Sequence, residues 1–234
     1  MEAIKAVLFD LDGTLLPLDQ DEFIKGYFGL LAKALAEHIP PQRLTPAMLA
    51  GVDAMLKNDG SVINEEAFWR AFTAVHGEDV SDKMPIFEAF YRDGFLSAKA
   101  ICGYDPKAAE AVKRIKAAGY TVALATSPVF PMVATEARMQ WAGLEREDFA
   151  LVTSYENSRF CKPSAGYYRE VAAALDVSPK ACLMVGNDMV DDMEAEKTGM
   201  KVFLLTDHLL NRENRDISPY PQGGFDDLLR YLSL

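Results

Sequence analysis

Five short apolar runs, each bounded by polar or turn-forming residues, recur along the chain: Ile4–Phe9, Tyr120–Ala125, Phe149–Val152, Ala181–Val185 and Lys201–Leu205. Their length and β-branched content predict buried strands. Between the later runs the apolar spacing changes to that of a helix. In Pro106–Ala118, residues Ala108, Ala111, Val112 and Ile115 fall on one face and Gly119 marks the end. Pro131–Trp141, Ser164–Leu175 and Asp188–Thr198 are read as the other crossover helices. Strand alternating with helix predicts an α/β fold, a doubly wound parallel five-stranded sheet with helices on both faces. The first run ends at Phe9 and the second begins near Tyr120, far more chain than one crossover needs. The intervening pattern is helical: Phe23, Ile24, Tyr27, Leu30, Leu31 and Leu35 keep one helical face, and Ala67, Phe68, Ala71, Phe72 and Val75 another. The expected organisation is a discontinuous core, residues 1–16 and 100–234, carrying an all-helical inserted cap over 17–99. Ser218–Gly224 reads as a loop before a short closing helix, Phe225–Leu232.

Composition narrows the partners. With 234 residues, half of them apolar, the chain suffices for one large core and a smaller unit. A formal charge of −11 without any Lys/Arg cluster repels nucleic acid and anionic membrane surfaces, so neither is expected as a partner. The N-terminal stretch lacks the pattern of a signal peptide and no apolar run is long enough to cross a bilayer, which gives a cytoplasmic expectation. Cys102, Cys161 and Cys182 are scattered and odd in number, as free buried thiols would be. Lys162 beside Cys161 is a weak hint of an activated thiolate.

In a parallel sheet, ligands bind beyond the carboxyl ends of the strands. The polar residues there are Asp10, Asp12 and Thr14 after the first strand, Thr126 and Ser127 after the second, and Asn187, Asp188, Asp191 and Asp192 after the fourth; Lys162 follows the third by a loop. Asp10 and Asp12, beside a carboxyl from Asp188, repel one another unless a hard divalent cation takes their oxygens, and Mg²⁺ suits a site of few carboxylates plus waters and phosphate. A carboxylate held against a phosphoryl group can attack phosphorus in line, which gives Asp10 the role of nucleophile. Asp12 then serves as general acid to the departing alkoxide and as base to the hydrolytic water. Thr126 and Lys162 supply a hydroxyl and a cation for the phosphoryl oxygens. An isolated Asp-x-Asp-Gly is common in turns; its position after an apolar strand, with Thr126, Lys162 and Asp188 following in order, makes it a candidate site.

Taken together, Phe9 to Leu15 (FDLDGTL), Ala125-Thr126-Ser127, Lys162-Pro163 and Val185-Gly186-Asn187-Asp188 with Asp192 resemble the four motifs of the haloacid dehalogenase superfamily. The helical insert resembles that superfamily's C1-type cap. The resemblance implies a Mg²⁺-dependent phosphatase with a Rossmann-like core. In it Asp10 is the nucleophile and a metal ligand, Asp12 the acid/base and a metal ligand through its backbone carbonyl, Thr126 and Lys162 hold phosphate, and Asp188 completes the metal site. Many relatives read Gly-Asp-Ser where this chain has Gly186-Asn187-Asp188; a carboxylate serves Mg²⁺ better than an amide, which selects Asp188 over Asn187. Asp192, four residues on, is the secondary ligand or supports the first, with Asp191 in reserve. Ser127 stands where relatives often carry Asn and is assigned to phosphate binding.

The expected substrate is a small phosphorylated metabolite, since a helical lid closes over a small molecule and blocks a polymer. Expelling an alkoxide needs the acid Asp12, which a dehalogenase does not. A phosphate-shuttling mutase is the alternative within the scaffold; a non-catalytic binding protein is disfavoured because every chemical group is present. His38, His76 and His208 read as solvated loop histidines, the Phe68, Trp69 and Phe72 stripe as core, and Arg70 and Arg92 as a solvated helix face. Nothing in the sequence sets an oligomeric state.

Overall fold

The computed structural model describes residues 2–234. Five strands, β1 (Ala6–Phe9), β2 (Thr121–Leu124), β3 (Leu151–Val152), β4 (Cys182–Gly186) and β5 (Lys201–Leu205), form a parallel sheet. A sixth, β6 (Gln222–Gly223), pairs parallel with β5, and the order across the sheet is β3-β2-β1-β4-β5-β6. β1 is therefore central, and strand order reverses on either side of it. Phe9 is in register with Leu124 on one side and Val185 on the other, so the chain leaves all three strands at one level.

Alternation along the strands splits the core in two, as a pleat requires. Val7, Phe9, Val122, Leu124, Leu183, Val185, Phe203 and Leu205 face α5 (Pro106–Ala117), α6 (Met132–Trp141) and α8 (Phe225–Tyr231). Ala6, Leu8, Ala123, Ala125, Cys182, Met184, Val202 and Leu204 face the other way, onto Tyr167, Tyr168, Val171 and Ala172 of α7 (Ala165–Ala174). Both faces are covered, which is the doubly wound α/β arrangement.

Between β1 and β2 lie four helices: α1 (Gln20–Leu35), α2 (Pro41–Leu56), α3 (Asn64–His76) and α4 (Met84–Arg92), followed by a 3₁₀ stretch over Gly94–Ile101. Asp19 caps α1, accepting from the Glu22 amide at 2.9 Å, and Phe23, Tyr27, Leu31 and Leu35 form its buried stripe. The chain enters and leaves this insert at adjacent points, where the Gly103 amide donates to the Pro17 carbonyl at 2.6 Å. The far side of the insert is also tied down. Asn64, fully buried at the start of α3, donates from its side chain to the carbonyls of Pro128 and Phe160, both at 3.3 Å, and its backbone amide donates to Ser158 at 2.8 Å.

Two expectations need correcting. The sixth strand lies inside the stretch read as a loop: Leu204 donates to Pro221 and Thr206 to Gly223, extending the sheet by two residues too few to leave a pattern. The crossover expected as a helix over Asp188–Thr198 is a 3₁₀ helix confined to Met193–Thr198. Its first residues are instead held by side chains. Asp188 Oδ1 accepts from the amides of Val190 and Asp191 at 2.7 and 3.0 Å, competing with helical hydrogen bonds.

Candidate active site

Register brings the candidate residues together. Asp10 follows β1, the loop Thr126–Ser127 follows β2 and Asn187 follows β4, all at the point where strand order reverses. Asp10, Asp12, Thr126, Ser127, Lys162, Asp188 and Asp192 all line one cavity of about 90 Å³, together with Asp191. α1 contributes Gln20, Phe23 and Ile24 to its wall, and Val129 and Phe130 come from the loop after β2.

Two glycines make the close packing possible. Gly13 turns the chain off β1 at φ +79°, and a Cβ there would sit 2.4 Å from the Asn187 amide nitrogen. Asn187 uses that space to tie loops together: its Oδ1 accepts from Thr14 Oγ1 at 2.9 Å and its Nδ2 donates to the His208 carbonyl at 2.7 Å. At Gly186 a Cβ would meet Asp192 Oδ2 at 2.0 Å. The bare backbone lets that carboxylate fold back beneath the strand.

Lys162 is the hub. Its Nζ donates to Asp10 Oδ1 at 2.8 Å and to Asp192 Oδ1 at 2.7 Å, with the ammonium side chain 1% exposed. Burial opposes its charge, yet Asp10 and Asp192 outweigh burial and hold it well above the ordinary lysine range, so it is a cation. Asp192 has both oxygens engaged: Oδ2 accepts from the Asp188 amide at 2.9 Å while Oδ1 holds Lys162. That geometry makes Asp192 the group that positions Lys162 and the Asp188 backbone. Asp10 Oδ2 and Asp188 Oδ2 make no hydrogen bond among the described residues.

The residue that the sequence reading missed is Arg138. It lies on α6, 1% exposed, and Nη1 makes a close ion pair with Asp12 Oδ2. Its Nε donates to the Ala134 carbonyl at 3.2 Å, Nη2 to Thr135 Oγ1 at 3.3 Å, and the guanidinium lies 4.3 Å from the centroid of Phe130. A signal exists: with Ala134, Ala137 and Trp141 it occupies the buried helical face at three- and four-residue spacing, an arginine in an apolar stripe. Burial pushes the Asp12 carboxyl up; Arg138 pulls it back down and Asp10 pushes it further up. Asp12 Oδ1 is itself buried and has no hydrogen-bond partner among the described residues. Burial and the neighbouring Asp188 raise Asp191 to about 6.

α7 sets the remaining loops. Tyr167 Oη donates to the Thr126 carbonyl at 2.8 Å and Thr153 Oγ1 to the same oxygen at 2.7 Å, while Tyr168 Oη holds the Asp191 carbonyl. Cys161 is 1% exposed and burial pushes its thiol up to about 12, so Lys162 does not activate it. His76 corrects the expectation of a solvated loop histidine: it ends α3, buried and stacked on Phe72 one turn earlier, and does not line the cavity.

Five carboxyls line the cavity against a single lysine, with Arg138 behind Asp12. Adding an anionic substrate to that imbalance requires further positive charge. Among the described residues no three His, Cys, Asp or Glu side chains converge as a ready-made metal cage. Asp10 and Asp188, each with an oxygen unbonded to protein, fit instead an ion that takes one or two carboxylates and fills its octahedron with water and substrate oxygens, which is the habit of Mg²⁺.

A parallel sheet with acidic residues at its switch point, interrupted after its first strand by a helical insert, defines a doubly wound α/β scaffold with a ligand site beyond the carboxyl ends of its strands. The chain belongs to the haloacid dehalogenase-like hydrolases, whose family model matches residues 4–197. It is similar to a phosphoglycolate phosphatase from Mesorhizobium japonicum, 24% identical over 213 residues covering 91% of this chain and 87% of the relative. The fold is similar to that of a 2-haloacid dehalogenase from Pseudomonas syringae pv. Tomato, with a TM-score of 0.65, 21% identity and 98% of each chain covered. It is also similar to that of a family enzyme from Bacteroides thetaiotaomicron solved with magnesium and inorganic phosphate, with a TM-score of 0.52, 18% identity, and 93% of this chain and 98% of that one covered.

Proposed function

We propose that this chain is a phosphomonoester hydrolase in which Asp10 attacks phosphorus and forms an aspartyl phosphate. The observation that carries the reading is the division of labour between the two carboxyls of the first loop. Asp10 has one oxygen held by Lys162 and the other unbonded, as a nucleophile needs. Asp12, two residues on, is partly buried, and desolvation raises its carboxyl, as a general acid needs. The phosphoryl oxygens sit between the Thr126 hydroxyl, the Ser127 loop and the Lys162 cation as charge shifts from ester to carboxylate. Asp12 gives its proton to the leaving oxygen and afterwards takes one from the water that cleaves the acyl phosphate.

Asp10, Asp188 and the Asp12 backbone carbonyl are the groups that would hold Mg²⁺. When bound it supplies positive charge that offsets the acidic cavity and the phosphate. Magnesium with phosphate in the Bacteroides family enzyme supports this reading, as does the phosphatase name of the Mesorhizobium relative. A dehalogenase has no use for Asp12. Hydrolysis is favoured over phosphate shuttling by a second, wider opening of about 400 Å³ on the Asp12 side, lined by Pro17, Leu18, Asn187 and His208 among others, through which water reaches the acid/base. Residues 17–99 then serve as a lid hinged where Pro17 and Gly103 meet.

The test is release of phosphate from a panel of small phosphomonoesters with Mg²⁺ and with EDTA. Mg²⁺-dependent release from at least one ester is the expected result. No release from any, with isomerisation of a sugar phosphate instead, overturns hydrolysis in favour of transfer.

A further inference from the structure

Behind the catalytic cavity lies a second one that the chemistry at phosphorus does not use. It measures about 160 Å³ and is enclosed by α1, α2, α3, α4 and the loops after β2 and β3. Ile24, Val129 and Phe130 line both cavities, so they form a shared wall, and Ile24 is itself 37% exposed. Of the fourteen residues around the second cavity eight are aromatic and none is charged. An engineered apolar cavity of about 150 Å³ stays dry and takes up benzene, which sets the scale: this space matches one aromatic ring.

One wall atom lacks a partner. Trp69 is one of the lining residues, and its buried Nε1–H, beside the Tyr155 hydroxyl, has no acceptor in hydrogen-bond geometry among the described residues. A buried donor left unmade costs roughly 1–3 kcal/mol, so an acceptor atom on an occupant has something to gain there. The charge pattern excludes other occupants. Among the described residues lining the two cavities Lys162 is the sole basic side chain, and Asp10 and Asp192 already engage it. A second anionic group on the substrate, such as the carboxylate of phosphoglycolate, finds no cation waiting for it.

We infer that the leaving group of the substrate carries one uncharged aromatic ring bearing a hydrogen-bond acceptor, which passes the Ile24–Val129–Phe130 wall and seats in this cavity. The inference rests on the phosphatase reading and names the substrate class for that site. The phosphoryl group stays with Asp10 and Lys162 while the alcohol side occupies the helical insert. The cavity is thus a specificity device built from the insert and the rim loops, separate from the groups that perform the reaction.

The experiment compares kcat/KM for methyl phosphate, phenyl phosphate, 4-acetylphenyl phosphate and phosphoglycolate with Mg²⁺, for the natural chain and for V52W, which fills the cavity from α2. 4-Acetylphenyl phosphate is expected to exceed methyl phosphate and phosphoglycolate by about tenfold or more, the discrimination that an apolar pocket supplies. In V52W that ratio collapses toward one. W69F is expected to reduce the advantage of the acetyl compound over phenyl phosphate, since it keeps the ring and removes the donor. Because aryl leaving groups also depart more easily, calorimetric binding of the same esters to D10N is measured alongside: tighter binding of the aryl esters, lost in V52W, supports the subsite. Equal or tighter binding of phosphoglycolate, or aryl binding indifferent to V52W, overturns it even where phosphate is released. Absence of release from every ester strikes the phosphatase reading, and the binding series still decides the cavity.

Discussion

Asp10 and Asp12 are two residues apart and differ in their cation: each has one carboxylate oxygen on a buried basic side chain, Lys162 for Asp10 and Arg138 for Asp12, and the other oxygen without a hydrogen bond among the described residues. Asp10→Asn is expected to cut kcat by roughly 10³-fold or more, because the amide keeps the shape and loses the proposed nucleophile. The melting temperature should shift by less than about 4 °C, measured by calorimetry beside a phosphate-release assay. Arg138→Met tests the partner that orients Asp12. It leaves a partly buried carboxylate without its cation and should destabilise the fold by about 1–3 kcal/mol in urea titration. Arg138→Lys restores charge without the fork that reaches Ala134 and Thr135, so it should recover stability in part while kcat stays depressed by about a hundredfold. The aspartates and Lys162 were legible because each follows an apolar strand or sits at a recognisable motif. Arg138 was not, because its partner is 126 residues away and only the folded sheet brings α6 beneath the first loop.

At the level of elements, strands were easy to read and the segment after β4 was not. A run such as Cys182–Val185 has one apolar face in each direction and no competing bonds. After Gly186, by contrast, side chains compete for the backbone: Asp188 caps two amides, Asp192 reaches back to the Asp188 amide, and Tyr168 holds the Asp191 carbonyl. Helical spacing in the sequence cannot register such bonds. The arrangement depends on Gly186, where an added methyl would collide with the Asp192 carboxylate. Gly186→Ala is therefore expected to lose about 1–3 kcal/mol of stability and to displace Asp192 from Lys162. The expected reading is a drop in kcat larger than that of a Gly143→Ala control, which is remote from the cavity.

For the molecule as a whole, the insert is fastened at two ends, by Gly103 to Pro17 and by Asn64 to the loops at Pro128 and Phe160. Asn64→Ala removes the side-chain half of the second fastening, keeps the backbone bond to Ser158, and takes the Asn64 donor from the Pro128 and Phe160 carbonyls, a loss of about 1–3 kcal/mol. It should speed limited proteolysis within residues 17–99 before the remainder is cut, as followed by mass spectrometry. The thiols report on the same integrity. Burial raises Cys102 and Cys182 to about 11 and Cys161 to about 12, so the thiolate form is scarce at neutral pH. Native protein is expected to resist iodoacetamide at pH 7.5, with Cys161 slowest, and to take up three labels once unfolded in urea. Among the described residues no helix is long and apolar enough to cross a membrane. The central place of β1 also bears on how the chain is made. Both of its sheet neighbours are encoded later, β2 from Thr121 and β4 from Cys182. A ribosome synthesising this protein therefore releases an apolar strand that stays unpaired while the helices of the insert emerge and can already collapse on themselves. Asp10 meets Asp188 only once β4 has emerged, and until then the nascent chain depends on the helices of the insert or on a chaperone to keep β1 from pairing with another chain.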